Sequence, residues 1–163
     1  MSQAVHEQTT TRPDAPNVGI VIASWVLSFI GLGISIYLTY EHFSGSTTLA
    51  CTDTGAINCL KVTTSPQSYF LGMPVSVLGL TYYVAALAMY SPWSWWSRFR
   101  LLHQVRIAFS VLGILMVLWL LTAELVIIKS ICLWCTGVHV VTFCLFVLAI
   151  VGSQRALERD DLT

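Results

Sequence analysis

The chain has 163 residues, 56% of them hydrophobic and 10% charged, with eight Lys and Arg balanced by eight Asp and Glu. That composition excludes an ordinary soluble domain. It also offers no excess of positive charge, and no nucleic-acid partner is expected.

Residues 1–17 are polar and rich in Thr and Pro, as expected of a disordered cytoplasmic tail. They lack the basic start of a secretory signal, so the apolar run that follows is expected to remain as an anchor. That run, residues 18–40, is the first of four stretches near the length of about 20 residues that a helix needs to cross roughly 30 Å of hydrocarbon. The others are 73–90, 105–128 and 132–151. The expected fold is all-α: an integral membrane four-helix bundle forming a single domain over residues 18–152, with a long extracytoplasmic loop between helices 1 and 2 and a cytoplasmic tail over 153–163.

That loop, "EHFSGSTTLACTDTGAINCLKVTTSPQSYFLG", is longer than most structureless connections, which points to function or disorder. Pro66 limits any short helix after Cys59, and Pro74 suits the first turn of the second span. Trp93, Trp95 and Trp96 then read as an interfacial belt. The turn between the third and fourth spans, "IIKSIC", is tight.

Arg98, Arg100 and Arg106 sit between the second and third spans, Arg155 and Arg159 follow the fourth, and Arg12 precedes the first. The opposite side carries Lys61 and Lys129. By the positive-inside rule both termini are expected in the cytoplasm, with the cysteine pairs on the other side.

Four of the five cysteines fall on that outer side: Cys51 and Cys59 in the long loop, Cys132 and Cys135 at the start of the fourth span. An oxidising compartment permits disulfides there. The C-x-x-C opens a helix, whose free N–H groups and partial positive charge favour a thiolate and hence thiol–disulfide exchange. Helical spacing puts Cys132, Cys135, His139 and Phe143 on one face descending into the bilayer. An apolar quinone, which takes the two electrons and two protons a dithiol gives, suits that face. His139 either hydrogen-bonds to such an oxidant or packs as a satisfied bundle residue. Cys51 and Cys59 read either as a shuttle that swings toward Cys132 or as a static clamp on the loop.

"CTDTGAINC" with Ser65 six positions after Cys59, the Gly-x-Pro entry "LGMPVSVLGL" and the C-x-x-C opening the last span together resemble the vitamin K epoxide reductase family, particularly its bacterial disulfide-forming members. The resemblance implies four helices around a quinone of the menaquinone, ubiquinone or vitamin K type. It also implies a catalytic set of Cys51, Cys59, Cys132 and Cys135. Cys51 would accept electrons from a reduced partner, Cys59 would exchange with Cys132, and Cys135 would lie beside the quinone. Ser65 matches the family's loop serine or threonine, and Ser65, Ser68, His139 and Phe143 form the expected quinone-contacting set. His139 replaces the tyrosine of mammalian members. Some bacterial members carry a fused thioredoxin-like domain, absent from this sequence. The implied donor is therefore a separate periplasmic thioredoxin-fold, DsbA-like protein, and the implied location is a bacterial plasma (inner) membrane.

The competing readings are a zinc site of the four outer cysteines, whose Cys51 to Cys59 gap fits zinc knuckles poorly, a non-enzymatic scaffold with structural disulfides, and vitamin K epoxide reduction in a lumenal membrane. Cys144, Glu124, Glu41 and His42 read as structural or interfacial, with Glu124 pairing with Lys129 or snorkelling outward. Asp53 and Lys61 read as exposed charges flanking the loop pair.

Overall fold

The computed structural model describes residues 17–45, 51, 55–97 and 99–160, with side chains up to Gln154. Arg12, Asp53, Arg98 and both expected tail ends lie outside the described residues, as do the side chains of Arg155 and Arg159. The described fold is all-α apart from one small hairpin.

Helix α1 (Val18–Ser44) starts at Asn17, whose side chain accepts the Gly19 N–H at 3.0 Å, and ends at Gly45 in the left-handed region. A short helix α2 (Cys59–Thr63) and a 3-10 turn (Pro66–Ser68) follow. Strands β1 (Tyr69–Phe70) and β2 (Met73–Pro74) pair antiparallel about Leu71 and Gly72, both at positive φ, as a two-residue hairpin loop requires. Then come α3 (Val75–Met89), α4 (Pro92–Trp96), α5 (Arg100–Thr122) continued by a π-helical turn (Ala123–Ile128), and α6 (Leu133–Asp160).

Among the described residues, three helical stretches are long and apolar enough to cross a membrane: Val18–Ser44, Arg100–Ile128 and Leu133–Gln154. The second expected span is shorter than its sequence suggests. Helix α3 has 15 residues, a rise of about 22 Å, because β2 takes up Met73 and Pro74 at one end and Pro92 starts a new helix at the other.

Helix α1 packs against α3 and α6, and α5 packs against α6. The buried face of α1 runs Val21, Ser24, Ser28, Gly31, Ser35, Leu38, a mostly small seam at alternating three- and four-residue spacing. Lipid supplies no hydrophobic drive between helices, so close backbone approach and internal hydrogen bonds must hold them. The seam supplies both. Ser24 Oγ donates to the Val21 carbonyl at 3.0 Å and Ser28 Oγ to the Ser24 carbonyl at 2.8 Å, while the Tyr83 ring lies where a Gly31 side chain would stand.

Buried polar groups join the other helices. The Tyr83 hydroxyl meets Thr142 Oγ1 at 2.9 Å and the Val138 carbonyl at 3.0 Å, and Tyr90 meets Ser110 Oγ at 2.7 Å. Arg106, expected as part of a free basic flank, is instead completely buried. Its guanidinium donates to the carbonyls of Met89 (3.1 Å) and Ser94 (3.0 Å) and to Ser94 Oγ (2.7 Å), and it approaches His103 Nδ1 at 3.0 Å. It also lies 3.8 Å above the Trp95 ring, a cation–π contact. Trp95 thus departs from the interfacial-belt expectation: it is buried and donates from Nε1 to Ser24 Oγ at 3.3 Å, while Trp93 and Trp96 stay exposed. The reason is the desolvated charge, which needs donors' partners and a π face in the same place.

Replacing Gly31 with Val should force the Tyr83 ring out of the seam and destabilise the fold by about 1–3 kcal/mol. Thermal unfolding in detergent checks this; an unchanged midpoint would contradict the close α1–α3 contact.

Candidate functional site

Asn58 caps α2 through its side chain, which accepts the Lys61 N–H at 2.8 Å. The residues around that cap are fastened to the turn before α6. Ile57 and Ile131 form a parallel bridge, with Asn58 N–H donating to the Ile131 carbonyl (3.1 Å) and Ile131 N–H to the Ala56 carbonyl (2.9 Å). Lys61 Nζ adds a bond to the Ile128 carbonyl at 2.9 Å, so Lys61 anchors the loop rather than standing free.

This stitch carries Cys59 to Cys132. Both are almost wholly buried, at 1% and 0% exposure, in one cluster with Val62, flanked by Cys51, Cys135, Ile128 and Trp134. Cys51 and Cys59 are joined as a disulfide, while Cys132 and Cys135 are free thiols. With the loop pair bonded to itself, a site made of all four thiols is not assembled. Cys144, also free, lies further along α6.

Cys132 stands just before α6, where an N-cap residue would stand. The Cys135 N–H reaches its sulfur at 3.3 Å, and its carbonyl accepts from Thr136 N–H at 2.9 Å. The Cys135 thiol hydrogen bond, followed by this backbone bond, holds the Cys132 pKa below that of an ordinary thiol, against desolvation and the Glu124 charge. A thiol so placed is the more readily ionised of the pair, and it leaves readily from a bond to Cys59 once Cys59 itself is attacked.

Cys135 faces a cavity of about 470 Å³, mostly apolar, walled by α1, α3, α5 and α6 and bordered at one end by the 3-10 turn and the hairpin. His139, Ser65 and Ser68 line it. Ser65 and Ser68 spend their hydroxyl hydrogens on the carbonyls of Val62 (2.8 Å) and Ser65 (2.7 Å). Phe143 is not among the lining residues and is 57% exposed. The cavity stripe on α6 is Cys135, Val138, His139 and Thr142, and Phe143 lies about 90° round the helix from its centre. Equal spacing from Cys132 could not show which side of the helix the bundle would take.

Among the described residues that line the cavity, three side-chain atoms are buried with no hydrogen-bond partner: Ser76 Oγ and Tyr82 Oη on α3 and His139 Nδ1 on α6. Buried polar atoms are nearly always paired. Three unpaired ones around one apolar cavity fit a flat, apolar ligand carrying a few oxygen acceptors, which is the chemistry of a quinone. Ser76 and Tyr82 escaped sequence reasoning because they sit inside an apolar span away from the cysteines; their polarity at membrane depth was the available signal. Glu124 was also undervalued. It is 3% exposed, lines the cavity, and accepts the Cys132 backbone N–H instead of turning outward. His42, read as interfacial, stands at the rim with Nε2 3.2 Å from the Tyr69 hydroxyl.

Residues 22–150 match the profile described as the vitamin K epoxide reductase family. No curated protein matches the chain.

If Cys59 and Cys132 meet as their shared cluster indicates, a chain with Cys51 and Cys135 both replaced by Ala should close a Cys59–Cys132 disulfide. Peptide mapping by mass spectrometry without reductant should find that crosslink; two persistent free thiols would show that the pair does not meet.

Proposed function

The chain belongs to the vitamin K epoxide reductase family of membrane oxidoreductases, and from that premise we propose that it reoxidises a separate thioredoxin-fold, DsbA-like partner and passes the electrons through two cysteine pairs to a membrane quinone. The observation that carries this reading is the shared burial of Cys59 and Cys132 between a half-buried Cys51 and the cavity beside Cys135.

The relay starts when a partner thiolate attacks Cys51 and breaks its bond to Cys59. The partner's second thiol then frees Cys51 and leaves the partner oxidised. Cys59 attacks Cys132 of a Cys132–Cys135 disulfide and releases Cys135; Cys51 closes on Cys59 and frees Cys132. Each step is an exchange through a mixed disulfide. The resulting state, with the loop pair bonded and the helix pair reduced, is the one described here.

A bound quinone supplies an acceptor for two electrons and two protons. His139, Tyr82 and Ser76 offer the polar atoms that would hold its oxygens, Ser65 and Ser68 contribute to the outer wall, and the apolar lining excludes water. Phe143 has no part in this set.

In the proposed setting, a bacterial plasma membrane, both termini are cytoplasmic and the cysteine pairs face the periplasm. Helix α3 would be the fourth span, its shortness met by local thinning of the bilayer or by the hairpin and α4 at its ends.

In detergent, with a reduced thioredoxin-fold partner and a quinone followed by absorbance, Cys135→Ala should exchange with the partner but reduce no quinone. Cys51→Ala should accept no electrons from the partner yet still reduce quinone when a small dithiol feeds Cys132. Full partner-to-quinone turnover in both variants would overturn the relay.

A further inference from the structure

Oxidising the Cys132/Cys135 dithiol releases two protons in a place with little water, since Cys132 is fully buried and Cys135 opens onto an apolar cavity. Exchange chemistry moves the electrons. It does not say where the protons go.

Glu124 is the only acidic side chain among the described residues that is buried. It lies in the π-helical turn Ala123–Ile128, whose extra residue per turn displaces side chains from the α-helical register and is frequent at functional sites. The turn closes on itself, with the Ser130 N–H bonded to the Glu124 carbonyl at 3.1 Å before the chain enters the C-x-x-C. The Glu124 carboxylate accepts the Cys132 backbone N–H and also lines the cavity alongside Cys135 and His139. One carboxyl group therefore touches the dithiol turn at one end and the acceptor's volume at the other. An ionisable group at this depth is costly unless it has a use.

The titratable and charged groups around it are few. Helix α1 brings His42 to the outer rim, bonded to Tyr69, and α2 brings Lys61, held by the Ile128 carbonyl. Helix α3 contributes Tyr82 and Tyr83, and the α6 region Cys132, Cys135 and His139.

We propose that Glu124 is the proton acceptor for oxidation of the Cys132/Cys135 dithiol and carries that proton into the cavity, an assignment that rests on the relay above. The Cys132 and Cys135 S–H bonds break and one Cys132–Cys135 S–S bond forms. The electron pair leaves for the quinone-class acceptor. The Cys132 proton passes to the Glu124 carboxylate, and then both that proton and the one from Cys135 end on the acceptor's two oxygens. Glu124 returns to its carboxylate and the pair is ready for Cys59.

The test separates proton from electron. The reduced full chain in lipid nanodiscs is oxidised by an outer-sphere one-electron oxidant, which takes no protons, and followed by infrared difference spectroscopy without quinone. The wild-type protein should gain a protonated-carboxyl band that Glu124→Gln lacks. With quinone present, Glu124→Gln should slow quinone reduction by about 100-fold, and Glu124→Asp should recover part of that rate. A wild-type spectrum with no carboxyl band, or a Glu124→Gln protein with the wild-type rate, overturns the assignment. A wild-type protein that shows the band but reduces no quinone leaves Glu124 as the proton acceptor and sinks the quinone reading instead.

Discussion

Inside a bilayer no water is at hand for a stranded donor or acceptor, and this constraint organises the whole molecule. The α1 serines satisfy themselves on their own helix, Tyr83 and Tyr90 bridge to α6 and α5, and Arg106 gathers carbonyls, a hydroxyl, a histidine and an indole face. These satisfied groups are the scaffold. Against that background the unsatisfied atoms of Ser76, Tyr82 and His139 stand out, because all three residues line the same cavity, two from α3 and one from α6. The rule that holds the helices together thus also sets this cavity apart from the rest of the interior.

The cysteines depend on a second, smaller device. A nine-residue loop closed by the Cys51–Cys59 disulfide could rest anywhere over the outer surface. The Ile57–Ile131 bridge and the Lys61 bond to Ile128 place its Cys59 end against the turn that contains Cys132. Backbone pairing fixes the inner sulfur and leaves Cys51 further out. That asymmetry suits a proposed relay in which one sulfur meets a partner and the other meets the next dithiol. It also explains how a tight connection can serve two tasks, since Lys129 in the left-handed region both ends the π-helical turn and turns the chain into the bridge.

Polar residues in apolar runs were the hardest to read from the sequence. Arg106 resembled one more basic flank and Trp95 one more interfacial ring, yet each is the other's partner in the interior. Glu124 resembled a charge at a membrane edge and turned inward to a backbone N–H. In all three, the direction read from the sequence was wrong, because packing turned the side chain inward. Depth follows from counting residues along a helix. Direction follows from which neighbours the helix has.

The chain alone determined the helical class, three of its long apolar helices, the placement of C-x-x-C at a helix start and the family to which the chain belongs, since these depend on hydrophobic run length, on where the helix begins and on local cysteine spacing. His139 at the cavity was equally legible, one turn below Cys135. Tertiary structure decided the rest. It shortened α3 by drawing Met73 and Pro74 into a hairpin, left Phe143 off the cavity by the rotation of α6, and brought Ser76, Tyr82 and Glu124 to the same cavity as Cys135. The physical reason is that spacing along one helix fixes relative angles on that helix but not its rotation against the others, which only packing across the bundle sets.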